Sequence, residues 1–238
     1  MYNSFAQIYD QLMDDFPYDE LIGAFSSLYT LKGRMLEMGC GSGRITQKLL
    51  PRSREYWALD VSEEMLSLAA SRLGNQQGLH LMIDQGEEFS RELDVVLAAV
   101  DVVNYMQEEE IESFFSRSFR ALVPGGALLF DISTEKKIRE ELAENVFIYD
   151  EEEFALIWQN QFVPEERGVY FDLLIFIREG ERYRKEREYH FQRAWKPSEI
   201  REALFEAGFS SVEMIETMER QIFCAVKRDG GMKCRKGL

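Results

Sequence analysis

The sequence predicts an α/β fold built on a doubly wound, mainly parallel sheet, and three observations support this prediction. Between residues 33 and 134, short apolar stretches alternate with amphipathic helical patterns, as expected of strand–helix–strand units. The stretch 94–100 is almost continuously apolar, which is typical of a strand covered by helices on both faces. From about residue 145 the apolar period changes to two, which indicates an inserted antiparallel meander.

Within residues 33–134, local sequence features mark the predicted strands and helices. Its five predicted strands are short apolar segments: 35–38, 56–59, 79–83, 94–100 and 127–132. Ser62 is a predicted helix N-cap, because Glu63 and Glu64 follow it in the first turn, where the helix dipole favours acidic side chains. The sequence Pro124-Gly125-Gly126 is expected to end the helix that precedes the fifth strand.

We expect a single domain over residues 1–238 with further elements on either side of the core at 33–134. Residues 1–30 are predicted to form a helical cap, since Phe5, Ile8 and Leu12 recur at helical spacing. The insertion at 145–195 is expected to form an antiparallel sheet on the substrate side. Its three predicted strands and the closing elements of 196–227 are as follows: strands 154–163, 169–177 and 182–191, a helix from Pro197 to Gly208, and strands 212–215 and 222–226.

Composition excludes several classes of protein. The chain has 238 residues with 28 basic and 43 acidic side chains, a net charge of −15, which disfavours nucleic acid as a direct partner. Its three cysteines form neither a CxxC motif nor a cluster with histidine, so we expect no disulfide framework and no zinc site. No apolar stretch approaches the length needed to span a bilayer, and no secretory signal is evident, so we expect a cytoplasmic protein without membrane contact.

The segment from Glu37 to Gly43, with the sequence Glu-Met-Gly-Cys-Gly-Ser-Gly, lies between the first predicted strand and its helix. Glycines there permit a tight turn and a close approach of a ligand to the backbone, which predicts a nucleotide-type ligand. Asp60 ends the second strand, where a carboxylate accepts hydrogen bonds from a ribose. A dinucleotide fingerprint would place glycine or alanine at position 44, which is Arg44, so a dehydrogenase is disfavoured.

At this point the sequence resembles the class I S-adenosylmethionine-dependent methyltransferases. The matching motifs occur in order over roughly residues 33–134: Glu37-x-Gly39-x-Gly41-x-Gly43, Asp60-Val61, Asp84-Gln85, the strand from Asp94 to Asp101, and Leu122-x-Pro124-Gly125-Gly126. The resemblance implies a Rossmann-like, seven-stranded sheet and S-adenosyl-L-methionine as the cofactor. In its layout the chain also resembles the sugar-amine N-methyltransferases, in which an N-terminal aromatic helix and an inserted sheet cover the substrate.

The resemblance implies a set of residues for cofactor binding. The glycines would receive the methionine part, Asp60 the ribose and Asp84 the adenine amino group, although Asp84 is also a common turn residue. The complete implied set is Glu37, Gly39, Gly41, Gly43, Asp60, Val61, Met65, Asp84, Gln85 and Asp101.

Methyl transfer from a sulfonium requires chiefly that the acceptor be aligned, and it requires neither a metal nor a protein nucleophile. The resemblance implies that Tyr9 closes over the cofactor, and Asn104, after the fourth strand, is a candidate for substrate contact. His190 shares a face with Glu186 and Glu188 in a period-two strand, and an imidazole suits a general base near neutral pH. A solvated strand face explains His190 equally well, because residues 179–189 carry four acids and four bases.

The sequence therefore predicts a methyltransferase that transfers a methyl group from S-adenosylmethionine to nitrogen or oxygen of a small molecule. Proximity and orientation would supply most of the catalysis, with at most weak help from a general base. The alternatives are methylation of RNA or protein, or a non-catalytic cofactor-binding protein of the same fold. Both a monomer and a homodimer are compatible with the sequence.

Overall fold

The apolar segments form two sheets in the computed structural model, which describes residues 5–89 and 92–228. Within these residues the strands are β1 (Gly33–Met38), β2 (Ser53–Asp60), β3 (Leu79–Ile83), β4 (Leu93–Ala98), β5 (Leu122–Ser133), β6 (Val146–Asp150), β7 (Phe154–Val163), β8 (Gly168–Glu179), β9 (Arg182–Arg193), β10 (Ser211–Glu216) and β11 (Arg220–Val226). The α-helices are α1 (Phe5–Leu12), α2 (Tyr18–Leu28), α3 (Arg44–Leu49), α4 (Glu63–Leu73), α5 (Glu108–Ala121) and α6 (Pro197–Glu206).

The large sheet has seven strands in the order β10-β11-β5-β4-β1-β2-β3. Strands β1 to β5 pair in parallel, whereas β11 is antiparallel to both β5 and β10. This topology confirms the predicted doubly wound, mainly parallel seven-stranded sheet. The chain order reverses between β1 and β4, and such a switch point is where α/β sheets bind ligands, at the carboxyl ends of the strands.

Helices cover both faces of the large sheet. On one face α5 and α6 pack through Phe114, Phe115 and Leu204 against a layer that includes Phe130 and Phe223, whose rings stack with centroids 5.1 Å apart. On the other face α2 and α3 bury a second apolar cluster. Burial on both faces explains why β4 and β5 have nearly continuous apolar sequences.

The insertion forms an antiparallel sheet of four strands, in the order β6-β7-β8-β9, which we call the small sheet. Three of these strands were expected from the sequence, and β6 is additional. Its inward side chains, Phe147 and Tyr149, alternate with outward Val146 and Ile148, so both faces are apolar and the polar–apolar contrast that marks a strand is missing. Helix α1 packs on the inner face of this sheet in a third apolar cluster.

Two boundaries differ from the sequence-based expectation. Strand β4 ends at Ala98 and not at Val100, because Val100 and Asp101 both adopt left-handed backbone conformations, with φ of +65° and +64°. A 3-10 turn at Val102–Tyr105 follows directly. The last ten residues of the sequence, 229–238, lie outside the described residues.

No helix in the described part of the chain is both long and apolar enough to cross a membrane.

Candidate active site

A cleft of about 790 Å³ opens at the carboxyl ends of β1 to β5. The glycine turn after β1 forms its floor, α1 lies across it, and the inner face of the small sheet forms the far wall. Most of the implied cofactor residues meet in this cleft: Glu37, Gly39, Gly41, Asp60, Val61, Met65, Asp84 and Asp101. Gly43 and Gln85 are not among the described residues that line it.

The glycine turn leaves backbone exposed to the cleft where any side chain would be strained. Gly39 and Gly41 have φ of +66° and +54°, in the left-handed region that favours glycine. A Cβ atom on Gly39 would also lie 2.5 Å from Cγ2 of Val102, whereas a Cβ on Gly41 would meet only Tyr9, at 3.8 Å. The turn therefore offers a shallow cradle, which fits the methionine part of S-adenosylmethionine.

Asp60 is fixed by the backbone on both sides of it. The Gly41 N–H donates to its Oδ2 (2.8 Å) and the Ser62 N–H donates to its Oδ1 (2.9 Å). Burial raises the pKa of the carboxyl above its ordinary value, and these backbone bonds oppose the rise. Each carboxylate oxygen keeps a further lone pair, so the group fits a ribose diol that approaches from the cleft.

The side of the cleft beyond Asp60 fits an adenine ring. Met65 is buried, Val61 is 67% exposed, and both line the cleft on the way to Asp84. Asp84 accepts the Gly86 N–H (2.9 Å) in a turn and lies 3.7 Å from Arg117 Nη1. Asp84 can thus form this turn and still face a ligand in the cleft, so the two roles considered for it do not exclude each other.

Glu37 is buried below the glycine turn. Its Oε2 accepts hydrogen bonds from the Thr46 hydroxyl (2.6 Å) and the Tyr56 hydroxyl (2.7 Å). Burial raises the pKa of Glu37 from 4.5 to about 7, because the two hydroxyl donors only partly offset the loss of water. The carboxyl therefore titrates near neutral pH.

A buried ion-pair triad holds the turn after β4. Arg220 of β11 donates to Asp101 Oδ1 (2.8 Å) and Oδ2 (3.1 Å) and also bonds to Asp131 of β5. The Ser133 hydroxyl donates to Asp101 as well (2.8 Å). Burial alone would raise the pKa of Asp101, but the Arg220 charge outweighs it and holds the pKa below the ordinary value. Asp101 therefore lines the cleft as an ionised carboxylate whose charge is paired with Arg220.

Helix α1 is clamped over the cleft by Asp10. This carboxylate accepts from the Ser42 hydroxyl (2.5 Å), from Arg44 Nε (3.2 Å) and from Arg72. These bonds hold Tyr9 against the glycine turn, where burial raises the pKa of the phenol well above its ordinary value. Tyr9 therefore stays neutral and lines the cleft beside the glycine turn.

Asn104 and His190 lie beside the cleft and are not among the described residues that line it. The Asn104 amide donates to the Arg193 carbonyl (2.9 Å) and accepts from the Ser133 N–H (2.9 Å). Both polar atoms of its side chain are therefore bonded to the protein backbone. His190 is buried, with Nε2 3.4 Å from Glu188 Oε2 and its ring centroid 6.3 Å from that of Tyr105. The direct substrate contact expected of these two residues does not fit this geometry.

The structure adds site residues that the sequence analysis did not single out. Arg220 is 119 positions from Asp101 and had no local signal. Gln192 did have a local signal, because it follows Glu188 and His190 in the period-two alternation of β9 and lies on the same inner face. The far wall of the cleft further includes Lys137, Leu142, Tyr149, Trp158 and Phe171.

This cleft and its sheet define the chain as a class I S-adenosylmethionine-dependent methyltransferase. The methyltransferase-domain family matches residues 35–126. A putative methyltransferase of Bacillus subtilis (strain 168), YqeM, is 33% identical over 213 residues, which span 88% of this chain and 86% of that protein. The chain belongs to this family, and its cofactor is S-adenosylmethionine.

Solved structures agree with this assignment. An S-adenosylmethionine-dependent methyltransferase from Clostridium acetobutylicum ATCC 824 is 28% identical, with a TM-score of 0.80 over 96% of this chain and 99% of that chain. The sugar N-methyltransferase KedS8 from Streptoalloteichus sp ATCC 53650 has a TM-score of 0.76 over 95% of this chain and 94% of that chain, at 15% identity. The likeness to KedS8 shows a shared fold.

Replacing Glu37 by Gln should remove a pH-dependent part of the stability. The folded state holds the Glu37 proton up to a pH of about 7, whereas the unfolded state releases it near 4.5, so the Glu37 contribution to stability is present below 4.5 and is lost as the pH rises through 7. Between these limits the unfolding free energy of the wild type should fall by about 3 kcal/mol relative to Glu37→Gln.

Denaturant unfolding of both proteins from pH 4 to pH 8 measures this difference. Glu202→Gln, at an exposed position on α6, is the control and should run parallel to the wild type. Parallel curves for Glu37→Gln as well would mean that the pKa of Glu37 is the same in the folded and the unfolded state.

Proposed function

We propose that this methyltransferase acts on a nitrogen or oxygen atom of a small molecule bound between the glycine turn and the inserted sheet. The observation that carries this proposal is the continuity of the cleft. It runs from Asp60 and Asp84, under α1, to Tyr149 and Phe171 of the small sheet. Cofactor and acceptor can thus occupy one enclosed space with their reacting atoms in contact.

On the cofactor side, the residues that we expect to bind are those that line the cleft near the turn. Gly41 leaves room for the methionine part, and the Asp60 carboxylate is oriented towards a ribose by two backbone N–H donors. Asp101 lines the cleft beside the turn, and its carboxylate can accept a hydrogen bond from an ammonium group in addition to those from Arg220. Bound S-adenosylmethionine supplies a methyl group on a sulfonium, whose carbon–sulfur bond breaks with its electron pair left on sulfur.

On the acceptor side, the protein contributes alignment and exclusion of water. Tyr9 covers the glycine turn and Tyr105 approaches from the turn after β4, so both rings border the space where the acceptor atom lies. A lone pair of that atom forms the new bond to carbon, and its proton leaves to water or to a weak base. Alignment of this kind supplies a large part of the rate in reactions that need no protein nucleophile.

We assign Asn104 and His190 positioning roles in this mechanism. Asn104 ties the turn after β4 to the end of β9 through the Arg193 carbonyl, and thereby sets where Tyr105 lies. His190 supports the rings of Tyr105 and Phe5 from behind, at centroid distances of 6.3 and 5.7 Å. Both residues therefore act on the acceptor through Tyr105.

A small acceptor fits the cleft better than a macromolecule does. Helix α1 is attached at both ends: Asp10 bonds to the glycine-turn region, and the Phe5 N–H donates to Glu188 of β9 (2.9 Å). A polymer would have to reach the cofactor past this helix. The surplus of acidic residues also repels nucleic acid at long range.

The size of the methylated product tests this proposal. Purified protein, S-adenosylmethionine with a labelled methyl group and an extract of low-molecular-mass metabolites should yield labelled compounds of small mass. Incubation with the RNA or protein fraction of the same extract serves as the comparison. Label confined to nuclease- or protease-sensitive material would contradict a small-molecule acceptor.

Asp60→Ala should weaken binding of S-adenosylmethionine. Loss of the two expected ribose hydrogen bonds costs about 1–3 kcal/mol, or roughly five- to 150-fold in dissociation constant. Calorimetric titration with S-adenosylmethionine and with S-adenosylhomocysteine measures the change. Asp150→Ala, an exposed carboxylate on β6, should leave the affinity unaltered. An unchanged affinity in Asp60→Ala would remove Asp60 from the binding site.

His190→Ala should lower turnover more than it lowers cofactor affinity, because His190 supports Tyr105 and does not line the cofactor part of the cleft. His190→Gln, which keeps much of the side-chain volume, should recover part of the turnover if support of Tyr105 is the role. Rates and S-adenosylhomocysteine affinities of both variants separate the two effects. Equal turnover in the wild type and His190→Ala would exclude any role of His190 in the reaction.

A further inference from the structure

The part of the cleft next to the small sheet has a chemistry of its own, and we refer to it as the acceptor pocket. Its wall is formed by Leu142, Tyr149, Trp158, Phe171 and Gln192. Three of these five side chains are aromatic and one is aliphatic. The pocket thus differs from the cofactor part of the cleft, where glycines and carboxylates accompany Val61 and Met65.

The aromatic rings of the pocket hold one another in place. Trp158 meets Phe171 edge to face, with centroids 5.2 Å apart and planes at 74°, and packs against Phe147 on its other side at 5.6 Å. Tyr149 approaches from the neighbouring strand β6. A fixed aromatic wall of this kind favours a flat apolar molecule, which can stack or meet the rings edge to face.

The pocket lacks the means to bind a phosphate. Among the described residues that line the cleft near this pocket, Lys137 has the basic side chain. Its Nζ is paired with Glu219 Oε2 at 3.0 Å. The other basic residues that line the cleft, Arg44 and Arg117, are near the glycine turn and Asp84, and Arg44 is paired with Asp10 and Asp14. Proteins recognise phosphate through arginine or lysine side chains that have no other ion-pair partner. Binding of a phosphorylated acceptor in this pocket is therefore unfavourable.

Gln192 supplies a polar contact on this apolar wall. The residue is only 5% exposed and lines the cleft. Its side-chain amide offers both a donor and an acceptor. A hydroxyl, amino or carbonyl group on the bound molecule can hydrogen-bond to it.

We propose that the acceptor is an uncharged, flat, mainly apolar molecule that carries a hydroxyl or amino group and no phosphate. This class extends the proposed function, on which it rests, and it differs from a nucleotide-linked or phosphorylated sugar amine. The aromatic wall of Tyr149, Trp158 and Phe171 binds the body of the acceptor, and Gln192 orients its polar group.

Calorimetry with four probes tests the proposal on the full chain saturated with S-adenosylhomocysteine. The probes are 1-naphthol, 1-naphthylamine, 1-naphthyl phosphate and D-glucosamine. The two uncharged probes should bind, and 1-naphthyl phosphate should bind about 30-fold more weakly than 1-naphthol, because it brings a charge into a pocket without a free cation. Glucosamine should bind more weakly than either uncharged probe.

Two adjacent residues of β6 provide a matched pair of variants. Tyr149 faces the pocket, whereas Ile148 is 71% exposed on the opposite face of the strand. Tyr149→Ala should weaken 1-naphthol binding about tenfold, through loss of the ring contact. Ile148→Ala should leave it unchanged, and both variants should keep their affinity for S-adenosylhomocysteine within about twofold, since neither residue is among those expected to bind the cofactor.

Release of Lys137 gives a test by gain of binding. Glu219 is largely exposed, so Glu219→Gln should fold normally and leave Lys137 without its ion-pair partner. Affinity for 1-naphthyl phosphate should then rise about fivefold, as expected for a partly exposed charge pair, while affinity for 1-naphthol stays the same.

Three results would overturn the proposal: no binding of 1-naphthol, equal or tighter binding of 1-naphthyl phosphate by the wild type, or tighter binding of glucosamine. None of these readouts requires turnover. Failure here together with labelled low-mass products would reject the acceptor class alone, whereas label found only in RNA or protein would reject the proposed function itself.

Discussion

The buried triad of Arg220, Asp101 and Asp131 is the interaction on which the site depends. It connects β11, the end of β4 and β5, and the Val100 N–H donates to Asp131 as well (2.7 Å), which holds the left-handed turn after β4. Removal of one member of a buried ion group leaves an uncompensated charge and costs about 3–5 kcal/mol. Because this turn leads directly into Val102, which packs against Gly39, the triad also determines the shape of the glycine turn.

Helix α1 joins two parts of the structure that the sequence places far apart. Its first turn contacts the small sheet through Phe5, whose N–H donates to Glu188, and its last turn contacts the glycine turn and helices α3 and α4 through Asp10. The inserted sheet forms one wall of the cleft and the cofactor-binding core forms the opposite wall. Helix α1 joins these two walls through the two contacts. Their combination explains how a fold shared by many methyltransferases gains an enclosed space for a second molecule.

The large sheet and the cofactor side of the cleft were predictable from the sequence, because local signals mark them. Glycines at 39 and 41 are required by their backbone conformation, and Asp60 ends a strand of evident apolar character. Strand β6 was not predicted, since both of its faces are apolar. The acceptor side depends on partners distant in sequence: Asn104 was a reasonable candidate by position, yet only its bonds to Arg193 and Ser133 reveal that it joins backbone segments.

The contact between Phe5 and Glu188 spans 183 positions of the chain. Closure of such a loop is entropically costly, and the residues that receive α1 are synthesised long after the helix itself. Helix α1 therefore leaves the ribosome long before β9, and its contact with the small sheet forms late. Strands β1 to β5 can pair while the cleft is still open, and the enclosed site forms only after β9 has been made.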